Sequence, residues 1–232
     1  MTNEAIIILD PDDLKNNHQL LFEEIKGKPF LHYQLSYLAE NLFKHIVFLI
    51  PENDNRVQRL FGEEYMDIKI TYLDWHPKFG NGGNIFNALD FIKDTFAFVF
   101  SAKNYFRLNL RKADDFRRMR DSKILLIGKK TTDYEIDKIK LFLDFKGKIT
   151  NISESIITEE ENAYNTNTWL INKVYFKKQF AKLSFSLFND YLKKEYKENP
   201  QYCLACRQYF ITMEENKDLE KAKYEFAEYY YH

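Results

Sequence analysis

Residues 27–50 read GKPFLHYQLSYLAENLFKHIVFLI and combine two patterns. In the first part, leucine recurs at positions 31, 35, 38 and 42, which is the spacing of one helix face. Gly27 precedes this pattern, and Pro29 fits a first helical turn. The second part, residues 45–50, is apolar after His45, which is typical of a strand buried on both faces. The stretch therefore predicts a helix over residues 30–42 followed by a buried strand.

The same alternation extends on both sides of this stretch. Apolar runs of strand length occur at residues 5–9, 68–73 and 96–101, and helical patterns occur at residues 57–61 and 84–93. Strands that alternate with helices imply right-handed crossovers in a parallel sheet. The N-terminal half therefore predicts an α/β fold of the doubly wound, mostly parallel, Rossmann-like type, with helices on both faces of the central sheet.

The second half of the chain has a different pattern. Two runs, 138–144 and 148–152, flank a Lys-Gly turn and predict a β-hairpin. The other predicted elements are strands at 123–127, at 166–171 and around Cys203, and helices at 113–120, 175–183, 185–196 and from Asp218 onwards. No repeat and no linker rich in Gly, Pro or Ser interrupts the sequence. We therefore expect a single domain over residues 1–232.

Composition and charge exclude several classes of protein. The 34 Lys and Arg residues nearly balance the 35 Asp and Glu residues, so no basic surface for nucleic acid is expected. The longest apolar runs are far shorter than the roughly 20 residues of a membrane-spanning helix. Residues 1–4 contain no basic segment of a signal peptide. We expect a cytoplasmic protein with no nucleic-acid or membrane partner.

Cys203 and Cys206 form one isolated CxxC pair in a segment that reads as a strand. Side chains three positions apart on a strand point to opposite faces and do not easily converge on one metal ion. A structural zinc site also usually has four ligands, and no second pair is present. Two ordinary buried cysteines are the favoured interpretation, with metal or redox use as the alternative.

Four segments match, in order and at similar intervals, a pattern known from one enzyme family. They are AIIIL and GKPFL at residues 5–9 and 27–31, FGNGGNI at 79–85, NTNTWLINK at 165–173, and FITM with DLEKA at 210–213 and 218–222. Together they resemble the opening strand and the GKPFL, LGTGGAI, NTGIYLINK and FIDIGTPEDYEKA segments of the sugar-phosphate nucleotidyltransferases. The small bacterial heptose and hexose 1-phosphate enzymes are the most similar. The resemblance spans almost the whole chain and implies the nucleotidyltransferase fold.

The resemblance also implies a chemistry, in which a sugar phosphate oxygen attacks the α-phosphorus of a nucleoside triphosphate. That reaction depends on positioning and on neutralising charge with Mg²⁺, basic side chains and backbone amides. The family supplies a glycine-rich loop with an arginine after the first strand, then a lysine, and later two metal-binding aspartates. This chain departs from the family pattern at each of these places.

On the phosphate side, the glycine-rich loop is replaced by Asp10, Pro11, Asp12 and Asp13. Proline offers no N–H, and carboxylates repel a triphosphate. The family's lysine falls on Leu20. We therefore expect triphosphates to bind weakly if at all.

On the metal side, the first aspartate falls on Lys103 and the second on Thr212. A Mg²⁺ site normally needs one or two carboxylates beside the substrate phosphates. The resemblance therefore implies a degenerate member of the family, with no catalytic residues, no metal site and no cofactor. A site rebuilt from the aspartates after the first strand is the alternative.

Several positions remain candidates for ligand binding. Gly80, Asn81, Gly82 and Gly83 precede the predicted helix 84–93, and by resemblance they lie beside the nucleobase, where glycine amides could approach a base or an anion. A glycine turn kept for packing is the alternative interpretation.

Three further candidates come from the other segments. Glu154 falls on the glutamate of the family's FxEK stretch, and Asn165 falls on a residue that faces the sugar; ordinary surface residues are the alternative for both. Lys103 cannot bind a metal, but its ammonium group could pair with a phosphate as a point charge. A solvated lysine at a strand end is the alternative for Lys103.

Three functional hypotheses follow. The first is a catalytically inactive nucleotidyltransferase-like protein of a sugar-nucleotide or surface-polysaccharide pathway, which binds a sugar phosphate, a nucleotide or a partner protein. The second is an active sugar 1-phosphate nucleotidyltransferase with a rebuilt metal site. The third is a regulatory subunit that forms a heteromer with an active relative. Both a homo-oligomer and such a heteromer stay open as assemblies.

Overall fold

The computed structural model describes residues 2–11, 20–130, 139–153, 163–180 and 184–229. For residues 227–229 it describes the backbone only. The strands are β1 Glu4–Ile8, β2 Glu24–Ile25, β3 Lys28–Pro29, β4 His45–Pro51, β5 Glu64–Tyr65, β6 Ile68–Trp75, β7 Phe96–Ser101, β8 Asn104–Phe106, β9 Ile124–Lys129, β10 Lys140–Leu143, β11 Ile149–Ser153, β12 Ala163–Asn172, β13 Tyr202–Cys206 and β14 Phe210–Thr212. The α-helices are α1 Phe30–Glu40, α2 Arg56–Phe61, α3 Gly80–Ala88, α4 Leu110–Met119, α5 Lys173–Gln179, α6 Lys193–Glu198 and α7 Asn216–Tyr229.

Within the described residues, the central sheet contains ten strands, and its main path has the order β11-β10-β12-β7-β1-β4-β6-β5. Strand β1 pairs in parallel with β4 and β7, and β4 pairs in parallel with β6. Strand β12 runs antiparallel to β7 and β9, and β9 pairs in parallel with β13. The strands that alternate with helices are thus parallel, and the predicted hairpin of β10 and β11 is antiparallel. The predicted mostly parallel, doubly wound sheet is confirmed, and its antiparallel strands make it a mixed sheet.

Two hydrophobic cores lie on the two faces of this sheet, because successive strand residues point to opposite sides. Ile7 and Phe98 pack in the first core, with residues of α1, α2, α4 and α7. Ile6 and Val99 pack in the second core, with residues of α3 and α5 and of the π-helix Leu187–Leu192. The helices therefore cover both faces, as a doubly wound sheet requires.

The glycine segment differs from the prediction. Helix α3 begins at Gly80 and ends at Ala88, so Gly80–Gly83 form its first turn rather than a loop ahead of a helix over residues 84–93. The side chain of Asn84 explains the early start, because it accepts a hydrogen bond from the His76 N–H and donates to the carbonyl oxygens of His76 and Gly80. These tertiary contacts outweigh the low helix propensity of glycine.

The helix predicted over residues 185–196 is also different in detail. It consists of the π-helix Leu187–Leu192 followed by α6. A π-helix has hydrogen bonds one residue wider than an α-helix, a difference that side-chain periodicity does not reveal. Among the described residues, no helix is both long and apolar enough to cross a membrane.

Cys203 and Cys206 lie on β13 and point to opposite faces, as predicted. Cys203 packs in the second core and Cys206 in the first, and both thiols are free. Burial raises the pKa of both thiols, that of Cys206 to about 11. Both cysteines are therefore protonated, buried core residues at neutral pH.

Candidate functional site

The candidate site lies where β1 and β7 end, at the edge of the sheet where open α/β folds commonly bind ligands. The N–H of Ala102 donates to the carbonyl oxygen of Ile8 at 2.8 Å and joins the two strand ends. The chain then turns at Lys103 into β8, which pairs antiparallel with β14. In this pairing the N–H of Met213 donates to the carbonyl oxygen of Lys103 at 2.8 Å. The two segments that carry the family's metal aspartates are therefore adjacent.

An ion pair occupies this junction. The Lys103 ammonium lies 3.4 Å from a carboxylate oxygen of Glu214, and the two side chains are 19% and 45% exposed. Lys103 is thus mostly covered, unlike a solvated lysine at a strand end. Within the described ranges, no group of three or more His, Cys, Asp or Glu side chains is placed to hold a metal ion. The residues at this junction do not fit the magnesium ion that the family resemblance implies, because the Lys103 ammonium group already occupies the junction.

The phosphate side of the site has changed as well. Leu20, which stands where the family has a lysine, is only 3% exposed and packs in the first core. Asp10 is half-buried at the end of β1, whereas Asp12 and Asp13 lie outside the described residues. The Leu20 position therefore supplies core packing and no positive charge.

Three buried polar side chains lie behind the Lys103 turn. The amide of Gln34, from α1, donates to the carbonyl oxygens of Ser101 and Asn104, and the amide of Asn104 donates to the carbonyl oxygen of Thr166. In the described part of the chain, Gln34 Oε1, Ser101 Oγ and Asn104 Oδ1 have no hydrogen-bond partner. Buried polar atoms normally have partners, so this group is suited to holding a buried water molecule.

Sequence reasoning missed this polar group. Gln34 lies on the same stripe as Leu31, Leu35 and Leu38, and it is as buried as they are. A polar residue on the apolar face of a predicted helix was the available signal, because such a residue needs partners inside the protein. Neither Ser101 nor Asn104 is among the candidates predicted from the sequence.

Asn165 lies at an irregularity in β12. The pairing of β12 with β9 shifts register between Asn165 and Thr168, and Asn167 adopts a left-handed φ of 52°. Glycine adopts this conformation freely and asparagine tolerates it, which agrees with the glycine of the family's NTG motif at this position. The side chain of Asn165 accepts from the Asn167 N–H and donates to the Asn167 side chain, both at 2.9 Å. Strand irregularities of this kind are frequent beside active sites.

The glycine turn of α3 is in contact with Phe185. The N–H of Gly82 donates to the carbonyl oxygen of Phe185 at 3.0 Å, and the N–H of Phe185 donates to that of Phe79 at 3.1 Å. The Phe185 ring lies so close to Gly82 that an added Cβ would be 2.2 Å from a ring carbon. At Gly80, an added Cβ would be 2.7 Å from the Phe185 carbonyl oxygen. Both glycines are thus needed for this close approach.

The Phe185 segment is held from both sides. The ring of Phe185 stacks on Phe180 with centroids 4.5 Å apart and lies 5.9 Å from Phe176. The side chain of Asn81 accepts a hydrogen bond from the N–H of Leu187 at 2.8 Å. Contacts within the protein therefore cover one face of the glycine turn. They also occupy the backbone N–H of Gly82 and the side-chain carbonyl oxygen of Asn81.

The structure brings some predicted residues together and keeps others apart. Lys103, Asn104 and the Asn165 region converge around β7, β8 and β12. The glycine turn follows β6, which is separated from β7 by β4 and β1. Three strand spacings place the two strand ends about 14 Å apart, so they could contact different parts of one extended ligand. Glu154 lies outside the described residues.

Comparison with known proteins identifies sequence relatives. No protein-family model matches the chain. A D-glycero-alpha-D-manno-heptose 1-phosphate guanylyltransferase from Campylobacter jejuni is 25% identical over 195 residues, which cover 82% of either chain. The enzyme of the same name from Aneurinibacillus thermoaerophilus is 26% identical over 210 residues, which cover 88% of either chain.

Solved structures show the same fold. The crystal structure of HddC from Yersinia pseudotuberculosis aligns with a TM-score of 0.81 at 21% identity, covering 97% of this chain and 100% of that chain. The same protein complexed with GMP-PN aligns with a TM-score of 0.79. The family resemblance predicted from the four sequence segments is confirmed. The chain has the Rossmann-like fold of the sugar-phosphate nucleotidyltransferases and is a distant relative of the heptose 1-phosphate guanylyltransferases.

Proposed function

We propose that this protein is a nucleotidyltransferase-like binding protein of a sugar-nucleotide or surface-polysaccharide pathway that does not itself transfer a nucleotidyl group. The ion pair between Lys103 and Glu214 carries this proposal. A divalent cation at this junction would lie beside the Lys103 ammonium group, and like charges repel each other. The nearby carboxylate is engaged by that ammonium group.

The proposed ligand is a sugar phosphate. Lys103 supplies the charge for its phosphate, which would replace the half-exposed Glu214 as the partner of the ammonium group. The half-buried side chain of Asn165 offers hydrogen bonds for a sugar hydroxyl. A nucleotide is disfavoured, because Phe185 covers one face of Gly82 and Leu20 replaces a phosphate-binding lysine. The names of the sequence relatives include a heptose 1-phosphate, which supports this class of ligand.

We expect no pyrophosphate release from GTP and a heptose 1-phosphate in the presence of Mg²⁺ or Mn²⁺, because the two aligned metal carboxylates are absent. The Campylobacter jejuni guanylyltransferase, assayed in parallel, serves as the positive control. Steady metal-dependent release by the purified protein, abolished by EDTA, would contradict the proposal and favour an active enzyme with a rebuilt metal site.

We expect a sugar 1-phosphate to bind without metal and more weakly as salt rises, because the contact with Lys103 is ionic. Calorimetry in EDTA should show that Lys103→Ala weakens this binding about tenfold or more, the scale of one charge-assisted hydrogen bond. Lys69→Ala is the matched control, because Lys69 is exposed on β6. Equal binding to wild type and Lys103→Ala would show that Lys103 does not hold the phosphate.

A further inference from the structure

The turn that carries Lys103 is held from inside the molecule by Gln34. This turn runs from Ser101, the last residue of β7, to Asn104, the first residue of β8. The side-chain amide of Gln34, on α1, donates to the carbonyl oxygen of Ser101 at 3.1 Å and to that of Asn104 at 2.8 Å. One amide group therefore joins both ends of the turn.

Backbone contacts hold the middle of the same turn. The N–H of Ala102 donates to the carbonyl oxygen of Ile8, and the carbonyl oxygen of Lys103 accepts a hydrogen bond from the N–H of Met213, both at 2.8 Å. These contacts place the turn on the sheet, whereas the contacts of Gln34 restrain the distance between its two ends. Because the direction of a side chain follows the backbone that carries it, Gln34 influences where the Lys103 ammonium group lies.

Packing alone would favour an apolar residue at position 34. Gln34 is 4% exposed and lies on the leucine stripe of α1, and in the described part of the chain its side-chain oxygen has no hydrogen-bond partner. A buried polar atom without a partner destabilises the folded protein, and a leucine at this position would avoid that cost. The benefit of glutamine here therefore lies in the two hydrogen bonds that its amide donates to the turn.

We propose that Gln34 is a positioning residue for Lys103, and that its amide holds the turn in the conformation that directs the ammonium group toward the phosphate of the ligand. This inference rests on the proposed function. Without ligand, the same conformation places the ammonium group 3.4 Å from a carboxylate oxygen of Glu214. The two carbonyl oxygens need a donor that reaches both of them, which a side-chain amide with two N–H groups supplies. Neither methionine, which has a similar length, nor leucine has such a donor.

NMR spectroscopy of the ammonium group tests the positioning role without any ligand. Lysine side chains labelled by reductive ¹³C-methylation keep their charge, and the Lys103 signal is assigned by its loss in Lys103→Ala. We expect Gln34→Met to shift the Lys103 signal in the same direction as Glu214→Gln, which removes the ion-pair partner. Ser36→Ala is the matched control, because Ser36 is also buried on α1 but its hydroxyl contacts His32 rather than the turn. This control should leave the Lys103 signal unchanged.

Calorimetry with D-glycero-alpha-D-manno-heptose 1-phosphate, the sugar phosphate in the names of the sequence relatives, tests the same role with a ligand. Gln34→Met should weaken binding at least about threefold when Lys103 is present. The same change should have no further effect in the Lys103→Ala background, because Gln34 acts through Lys103.

Two results would overturn the proposal: a Lys103 signal that Gln34→Met leaves at its wild-type position, or a loss of sugar-phosphate affinity on Gln34→Met that is equally large with and without Lys103. Circular dichroism checks that the variant is folded, and Gln34→Leu, which continues the leucine stripe, is a second variant without donors. If the wild type binds no sugar phosphate, the proposed function fails, and the NMR comparison still decides whether Gln34 positions Lys103.

Discussion

Replacing Gly82 with alanine is expected to lower the free energy of unfolding by about 1–3 kcal/mol, the range for overpacking a core. Helix propensity alone predicts the opposite sign, because alanine is the better helix former by about 1 kcal/mol. The new methyl group would lie 2.2, 2.5 and 2.6 Å from three ring carbons of Phe185. The ring cannot easily move away, because it stacks on Phe180 and because the backbone carbonyl oxygen of Phe185 accepts a hydrogen bond from the Gly82 N–H.

A double-mutant cycle tests this explanation. Phe185→Ala removes the ring that the new methyl group meets, so in that background Gly82→Ala should cost at least about 1 kcal/mol less than in wild type. Urea unfolding of the wild type, the two single variants and the double variant measures the coupling. Strictly additive effects would show that the ring contact is not the reason glycine occupies this position.

Replacing Glu4 with alanine should destabilise the protein by about 3–5 kcal/mol, a large fraction of the total for a domain. Glu4 is only 4% exposed, and one carboxylate oxygen lies 2.9 Å from His45 Nδ1. The other accepts hydrogen bonds from the N–H groups of Lys93 and Asp94. His45 in turn contacts Thr71 at 2.9 Å, so the network joins β1, β4, β6 and the segment before β7. Removal of the carboxylate leaves several buried groups without partners.

The matched control for Glu4→Ala is Glu220→Ala. Glu220 forms an ion pair with Lys223 at 2.8 Å on the surface of α7, and such pairs contribute about 0–1 kcal/mol. Chemical denaturation should therefore separate the two variants by at least about 2 kcal/mol. A loss below about 1 kcal/mol for Glu4→Ala would mean that water replaces the carboxylate at little cost, and that the network is not a major source of stability.

The resemblance to sugar-phosphate nucleotidyltransferases was visible in the sequence because its signals are local and ordered. The leucine spacing of residues 31–38 and the apolar runs at 45–50 and 96–101 predicted elements that the structure contains. The departures from the family pattern at Leu20, Lys103 and Thr212 could also be recognised in the sequence, because each is a change of residue type at an aligned position. The pyrophosphate-release assay tests whether these changes abolish nucleotidyl transfer.

Contacts between segments that are far apart in the chain could not be predicted from the sequence. Nothing near residue 103 in the sequence indicates that its ammonium group pairs with Glu214, because the pairing of β8 with β14 brings them together. The start of α3 was placed too late for a similar reason. Its glycines disfavour a helix locally, and contacts with Asn84 and Phe185 reverse that preference.

The sequence by itself determined the alternation of strands and helices, the two-sided burial of the central strands and the loss of the family's charged residues, because periodicity and residue type are local properties. The tertiary structure alone decided which groups meet: Lys103 with Glu214, and Gln34 with Ser101 and Asn104. Those encounters depend on strand order and helix packing across the whole chain. The strength of each contact depends on the distance between side chains that are far apart in the sequence.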